Sequence, residues 1–99
     1  MIQLLQHYVM AIDTKELQRN LLQQAPAYRR QLMQAAGLTE EETYVCRLFY
    51  LQGKKVPQIA KAMSGWTETK VHHTKTAANR KMVHTLRSIA LESQDSISL

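Results

Sequence analysis

The scarce residues in this chain already restrict what it can be. It has one cysteine, Cys46, which excludes an internal disulfide framework and a cysteine-rich zinc site. Cys46 reads first as a small buried hydrophobe and only second as a reactive thiol. Three glycines and two prolines in 99 residues leave little material for the tight turns of a hairpin-rich β protein. No apolar run approaches the ~20 residues of a membrane-spanning helix. The opening segment, Met1–Ile12, lacks the basic start of a secretory signal and is interrupted by Gln3, Gln6 and His7. No membrane partner is expected, and the expected location is the cytoplasm. The chain also lacks a glycine-rich phosphate loop, a nucleophile elbow and the HExxH spacing, so neither an enzyme nor a bound cofactor is expected.

What is abundant favours helix. Leu, Gln, Ala, Lys, Glu and Met are frequent, and 44% of residues are apolar without any low-complexity tract, so a folded all-α chain is expected. A chain of this size buries only about 60–65% of its unfolded surface, which makes oligomerisation a natural way to gain stability. The net charge is +5, unevenly spread: residues 67–91 carry +4, whereas residues 92–99 carry −2. A concentrated basic segment is the electrostatic footprint of a nucleic-acid binder, and also a common feature of a solvated helix.

Apolar periodicity sets the expected helices. Leu4, Leu5, Tyr8, Val9 and Ile12 form a stripe over about residues 2–12. Asp13 or Thr14 can cap a second helix with Leu17, Leu21 and Leu22 on one side. Pro26 interrupts it and begins a third, carrying Tyr28, Leu32, Met33 and Ala36 and stopping at Gly37. These leucines suit either core packing or a surface for self-association, so residues 1–37 are read as a helical arm with a homodimer as one outcome. Thr39 to Glu42 spells a capping box, and its carboxylates are read as exposed caps on a helix start. Val45, Leu48, Phe49 and Leu51 supply that helix's buried face, Gly53 ends it, and Tyr44 and Tyr50 are core or rim aromatics.

Val56–Pro57 opens a short helix with Ile59, Ala60 and Met63 inward, ended by Ser64–Gly65. Thr67 caps a long helix whose inward stripe is Val71, Thr74 or Lys75, Ala78, Met82, Leu86 and Ile89. Trp66, in the turn between the two, is a hydrophobic plug or a stacking residue. Beyond Leu91 the sequence ESQDSISL is polar and aperiodic, and a frayed tail over 92–99 is expected.

A short helix with Ile59–Ala60, a turn with Gly65, and a long basic helix follow the order of a helix-turn-helix. The stretch LTEEETYVCRLFYLQGKKVPQIAKAMSGWTETKVHHTKTAANRKMVHTLRSI resembles region 4 of bacterial sigma factors and the related small phage regulators of the ArpU type. The opening LTEEE, the apolar VCRLFYLQG, PQIAKAM and the spaced T-x-x-K-V-x-x-x-x-x-x-A-x-x-K-M carry the resemblance. It covers Leu38 to about Ile89. It implies a helix-turn-helix domain over 38–91, with 67–91 as a recognition helix in the DNA major groove. The turn is one residue longer than the commonest spacing, and His72 and His73 stand where that family favours arginine and glutamine. Residues 1–37 do not resemble the other regions of a full sigma factor.

Matched position by position, the resemblance places Glu68, Thr69, Lys70, His72, His73 and Thr76 at base edges. Lys70 would donate to guanine, and Thr69 or Thr76 would touch a thymine methyl. Lys54, Lys55, Lys61, Thr67, Lys75, Arg80 and Lys81 fall at phosphate-contacting positions. The implied function is a phage or prophage transcriptional regulator that binds double-stranded DNA. Alternatives use the same helices as an adaptor or inhibitor on RNA polymerase or another host protein, or as a terminase small subunit recognising packaging DNA. A metal site is not expected: His72 and His73 diverge by about 100° on a helix, and neither has a histidine one turn away.

Overall fold

The computed structural model describes the backbone of residues 12–97 and the side chains of residues 12–92, and no strand occurs among them. Helix α1 spans Thr14–Gln23, α2 Pro26–Ala35, α3 Glu40–Cys46, α4 Val56–Ala62 and α5 Glu68–Ile97. A π-helical turn, Arg47–Leu51, continues α3. The helix expected over residues 2–12 lies outside the described residues, apart from Ile12, which is buried. No helix among the described residues is long and apolar enough to cross a membrane.

Local chemistry explains the element boundaries. Asp13, rather than Thr14, caps α1: its Oδ1 accepts from the Glu16 amide at 2.8 Å. Pro26 sits in the first turn of α2, where its missing amide costs nothing. No side chain caps α2; instead Arg29 donates to the carbonyl oxygens of Leu22 (2.8 Å), Gln24 (3.0 Å) and Tyr50 (2.5 Å). One guanidinium therefore ties the end of α1 to the π-helical turn. Gly37, at φ 66°, takes the left-handed conformation that releases the chain from α2.

The main core draws on both halves of the sequence. Ile12, Leu17, Leu21, Leu32 and Met33 are buried together with Cys46, Tyr50, Ala78, Met82 and Val83. Leu17 and Leu21 are fully buried inside this chain and so are not a surface for a second copy; of that stripe only Leu22 stays exposed. The part of the expected arm that is described is thus one wall of the domain. A second cluster of Val45, Leu48, Val56, Ile59 and Val71 joins α3, α4 and the start of α5. Phe49 packs against both clusters.

The π-helical turn departs from the regular helix expected through Leu51. A widened turn lets the consecutive aromatic residues Phe49 and Tyr50 both reach the interior. Their rings meet edge to face, centroids 4.9 Å apart. The fully buried Tyr50 donates its hydroxyl to Oδ1 of the equally sequestered Asn79 at 2.7 Å, so neither polar group is stranded. Cys46 is fully buried in the same cluster. Burial pushes its thiol up to about 12, with the Glu42 charge adding to the effect and Lys75 opposing it, which suits packing and not reactivity.

Along α5 the buried stripe runs through Val71, Lys75, Ala78, Asn79, Met82 and Val83. It ends earlier than expected: Leu86 is half-buried, while Ile89 and Leu91 are exposed. The helix itself continues to Ile97, past the expected end at Leu91. No glycine or proline follows Gly65, so nothing in the covalent chain stops it.

Candidate nucleic-acid interface

The arrangement of α4 against α5 starts from two side chains. Ile59 and Val71 are both fully buried, and their cluster packs α4 against the first turns of α5. Residues 63–67 connect the two helices. Gly65 makes the turn at φ 82°, and the Trp66 amide donates to the Met63 carbonyl at 2.9 Å. Thr67 then caps α5, its Oγ1 accepting from the Lys70 amide at 3.1 Å. The cap uses the oxygen as an acceptor and leaves the O–H as a donor, at a position where the resemblance implies a phosphate contact. A shallow cleft of 630 Å³ separates the end of α4 from the start of α5, walled by Pro57, Ala60, Lys61, Trp66 and Thr67.

With the inner face of α5 fixed, its outer face is open. Glu68, Thr69, Lys70, His72 and His73 are exposed, and Thr76 is half-buried. The structure thus gathers the expected base-reading residues on the outer side of the first turns. Of the expected phosphate contacts, Lys55, Lys61, Thr67 and Arg80 are exposed and Lys54 is half-buried.

Two of the expected phosphate contacts are engaged within the fold. Lys75 is only 7% exposed, with Nζ 4.3 Å from the Phe49 ring centroid. Burial depresses its pKa below the ordinary lysine range, with the nearby Cys46 opposing the shift. The aromatic face supplies the attraction that water no longer provides. Lys81 is bound to Glu42, Nζ to Oε1 2.6 Å. Arg87, another basic residue of the segment, donates to the Ile12 carbonyl at 2.9 Å. Of the five cations in residues 67–91, three are therefore held by the fold, and Lys70 and Arg80 keep exposed side chains. The local charge of +4 overstates what a ligand would meet.

Glu42 also departs from the sequence reading, being buried and not an exposed cap. Its Oε1 accepts from both the Thr39 amide (2.9 Å) and Lys81, while its own amide donates to Thr39 Oγ1 at 3.1 Å. The capping box is present and simultaneously fastens the start of α3 to the middle of α5. Burial pushes the Glu42 carboxyl up, but Lys81 and the two Thr39 contacts together hold it below its ordinary value. A carboxylate with a depressed folded-state pKa stabilises the protein above its unfolded pKa, and that contribution fades as pH falls through the folded value. Replacing Glu42 by Gln is expected to cost about 1 kcal/mol at pH 7, a modest value because solvent reaches Lys81 and screens the pair. Urea unfolding at pH 7 and at pH 3 checks this: the difference between the two proteins should shrink at the lower pH.

One contact of this face escaped the sequence. Lys70 places Nζ 4.1 Å from the centroid of the Trp66 ring, so its ammonium rests on an aromatic surface. The two residues are four apart, but Trp66 precedes the helix, so helical geometry alone does not predict the contact. His84, also exposed, stands eleven residues after His73, which returns it to within about 20° of the same direction. With Arg80 seven residues after His73, these three make one outward stripe.

Among the described residues no three His, Cys, Asp or Glu side chains are placed to hold a metal ion. In comparisons with known proteins, no family model, no curated protein and no solved structure matches this chain.

Proposed function

We propose that this protein binds double-stranded DNA through the outer face of α5 and acts as a transcriptional regulator, with α4, residues 63–67 and α5 forming a helix-turn-helix. One observation carries the reading. The first turns of a long helix expose a mixed donor and acceptor edge (Thr69, Lys70, His72 and His73) while Ile59 and Val71 hold that helix from behind. A helix presented in this way has the width to enter a major groove, where such side chains can discriminate base edges. Lys54, Lys55 and Lys61 on one flank and Arg80 on the other are the cations left for phosphates. Glu68 sits in the first turn of α5, where the helix dipole favours a negative charge.

Selection of bound sites from a random duplex pool tests the proposal. Enrichment of a defined sequence supports it, and a palindromic sequence would also establish a dimer and its half-site spacing. Failure to enrich any sequence, together with no retention of duplex at low salt, overturns it.

A further inference from the structure

A separate groove lies between α2 and the α3–π-helical segment, and none of its lining comes from α5. Its main part, of 590 Å³, is walled by Arg30, Met33, Leu38, Arg47, Leu51 and Gln52 among others. A shallower part of 250 Å³ continues it past Tyr44, and the two share Leu38, Thr43 and Arg47. The main part falls within the roughly 300–1,000 Å³ of ligand-binding clefts.

Its chemistry is polarised. Leu38 and Leu51, both half-buried, give apolar surface over the buried Met33, and Tyr44 adds an aromatic wall that is 43% exposed. Both arginines are exposed, and neither side chain has a hydrogen-bond or ion-pair partner among the described residues. No carboxylate lines the main part; Glu40 stands only at the shallow end. Nearby Arg29 shows the contrast, since all its bonds go to backbone carbonyls of its own chain.

We propose that this groove docks an acidic segment of a partner protein, a bulky apolar side chain seating on Leu38 and Leu51 while carboxylates on either side pair with Arg30 and Arg47. The guanidinium fork matches a carboxylate with two parallel hydrogen bonds, a geometry that lysine cannot offer. The apolar floor disfavours a nucleic-acid backbone, whose charged phosphates would not remove that surface from water. The inference stands on residues separate from those proposed to bind DNA.

The test is a selection of displayed random twelve-residue peptides against the whole chain, followed by fluorescence anisotropy of the enriched peptides. The expected consensus is Leu, Phe or Trp flanked by Asp or Glu. Arg30→Glu with Arg47→Glu should weaken such a peptide by about a hundredfold, and the neutral pair Arg30→Gln with Arg47→Gln by about tenfold. Both sites are exposed, and circular dichroism confirms that each variant is folded. Lys61→Gln with Arg80→Gln should leave peptide affinity unchanged. No enrichment overturns the proposal. So does equal loss with the Lys61 and Arg80 variant, because an acidic peptide would then be only a DNA mimic on the α4–α5 face. Duplex binding measured on the same variants reports separately on the DNA reading.

Discussion

A chain that begins at residue 38 is expected to lose its cooperative fold. The truncation removes Ile12, Leu17, Leu21, Leu32 and Met33, which are half of the buried residues in the main core. Burying one large aliphatic side chain is worth about 1.5–3 kcal/mol. Five of them together represent roughly 8–15 kcal/mol, as much as the entire stability of a typical domain. The truncation also removes Arg29 and so strips the Tyr50 carbonyl of its 2.5 Å donor. Thermal unfolding of the two chains by circular dichroism decides the matter. The whole chain should melt in one sigmoidal transition, and the shortened one should show a broad, non-cooperative loss of helicity. A sharp transition in the shortened chain would mean that residues 38–97 hold an independent core. A milder version, Leu21→Ala in the whole chain, should cost about 2–5 kcal/mol by leaving a cavity.

The elements that can be read from the sequence are those whose cause is local. Thr39 and Glu42 are three residues apart, and their reciprocal hydrogen bonds depend on little beyond the helix they start. Gly37, Gly53 and Gly65 all have positive φ, and each follows the last periodic apolar residues of a helix, so their role is visible too. The residues that mislead are those whose partners are distant in sequence. Lys81 looks like a free cation until Glu42, thirty-nine positions away, is brought to its ammonium. Tyr50 reads equally as core or rim until Asn79 receives its hydroxyl. Lys75 sits at the right period to face inward, yet Thr74 competes for that place because a buried lysine needs a partner that periodicity cannot supply. The Phe49 ring is that partner. Ile89 fits the same period and is nonetheless 47% exposed, because periodicity locates a face and says nothing about how far the neighbouring helices extend along it. The outer edge of α5 is therefore legible in the sequence while its charge is overcounted, since capture by Glu42, Phe49 and the Ile12 carbonyl is a tertiary event.

That revised charge yields the sharpest expectation for DNA binding. Each phosphate neutralised contributes a slope of about −0.9 to the dependence of log affinity on log salt concentration. With Lys54, Lys55, Lys61 and Arg80 as the available phosphate contacts, the slope for random duplex should be about −3 to −4; six cations would give about −5. Fluorescence anisotropy of a labelled random duplex across a salt series measures it directly. Lys55→Gln, Lys61→Gln and Arg80→Gln together should remove most of the slope and lower affinity for every sequence alike. Lys75→Met and Lys81→Gln should leave the slope unchanged, because neither ammonium is free to meet a phosphate; a change with either would show that the fold releases them on binding. Lys70→Ala with His73→Ala is the complementary variant. It should reduce the preference for a selected site by about 1–3 kcal/mol for each base pair no longer read, while binding to random duplex falls far less. If instead affinity drops equally on selected and random duplexes, those two residues contact the backbone only, and sequence is read elsewhere on α5. The Trp66 ring adds an internal check: in the free protein Lys70 rests against it. This is the only tryptophan in the chain. Its fluorescence should change when Lys70 moves to a base edge, and that response should be absent in the Lys70→Ala protein.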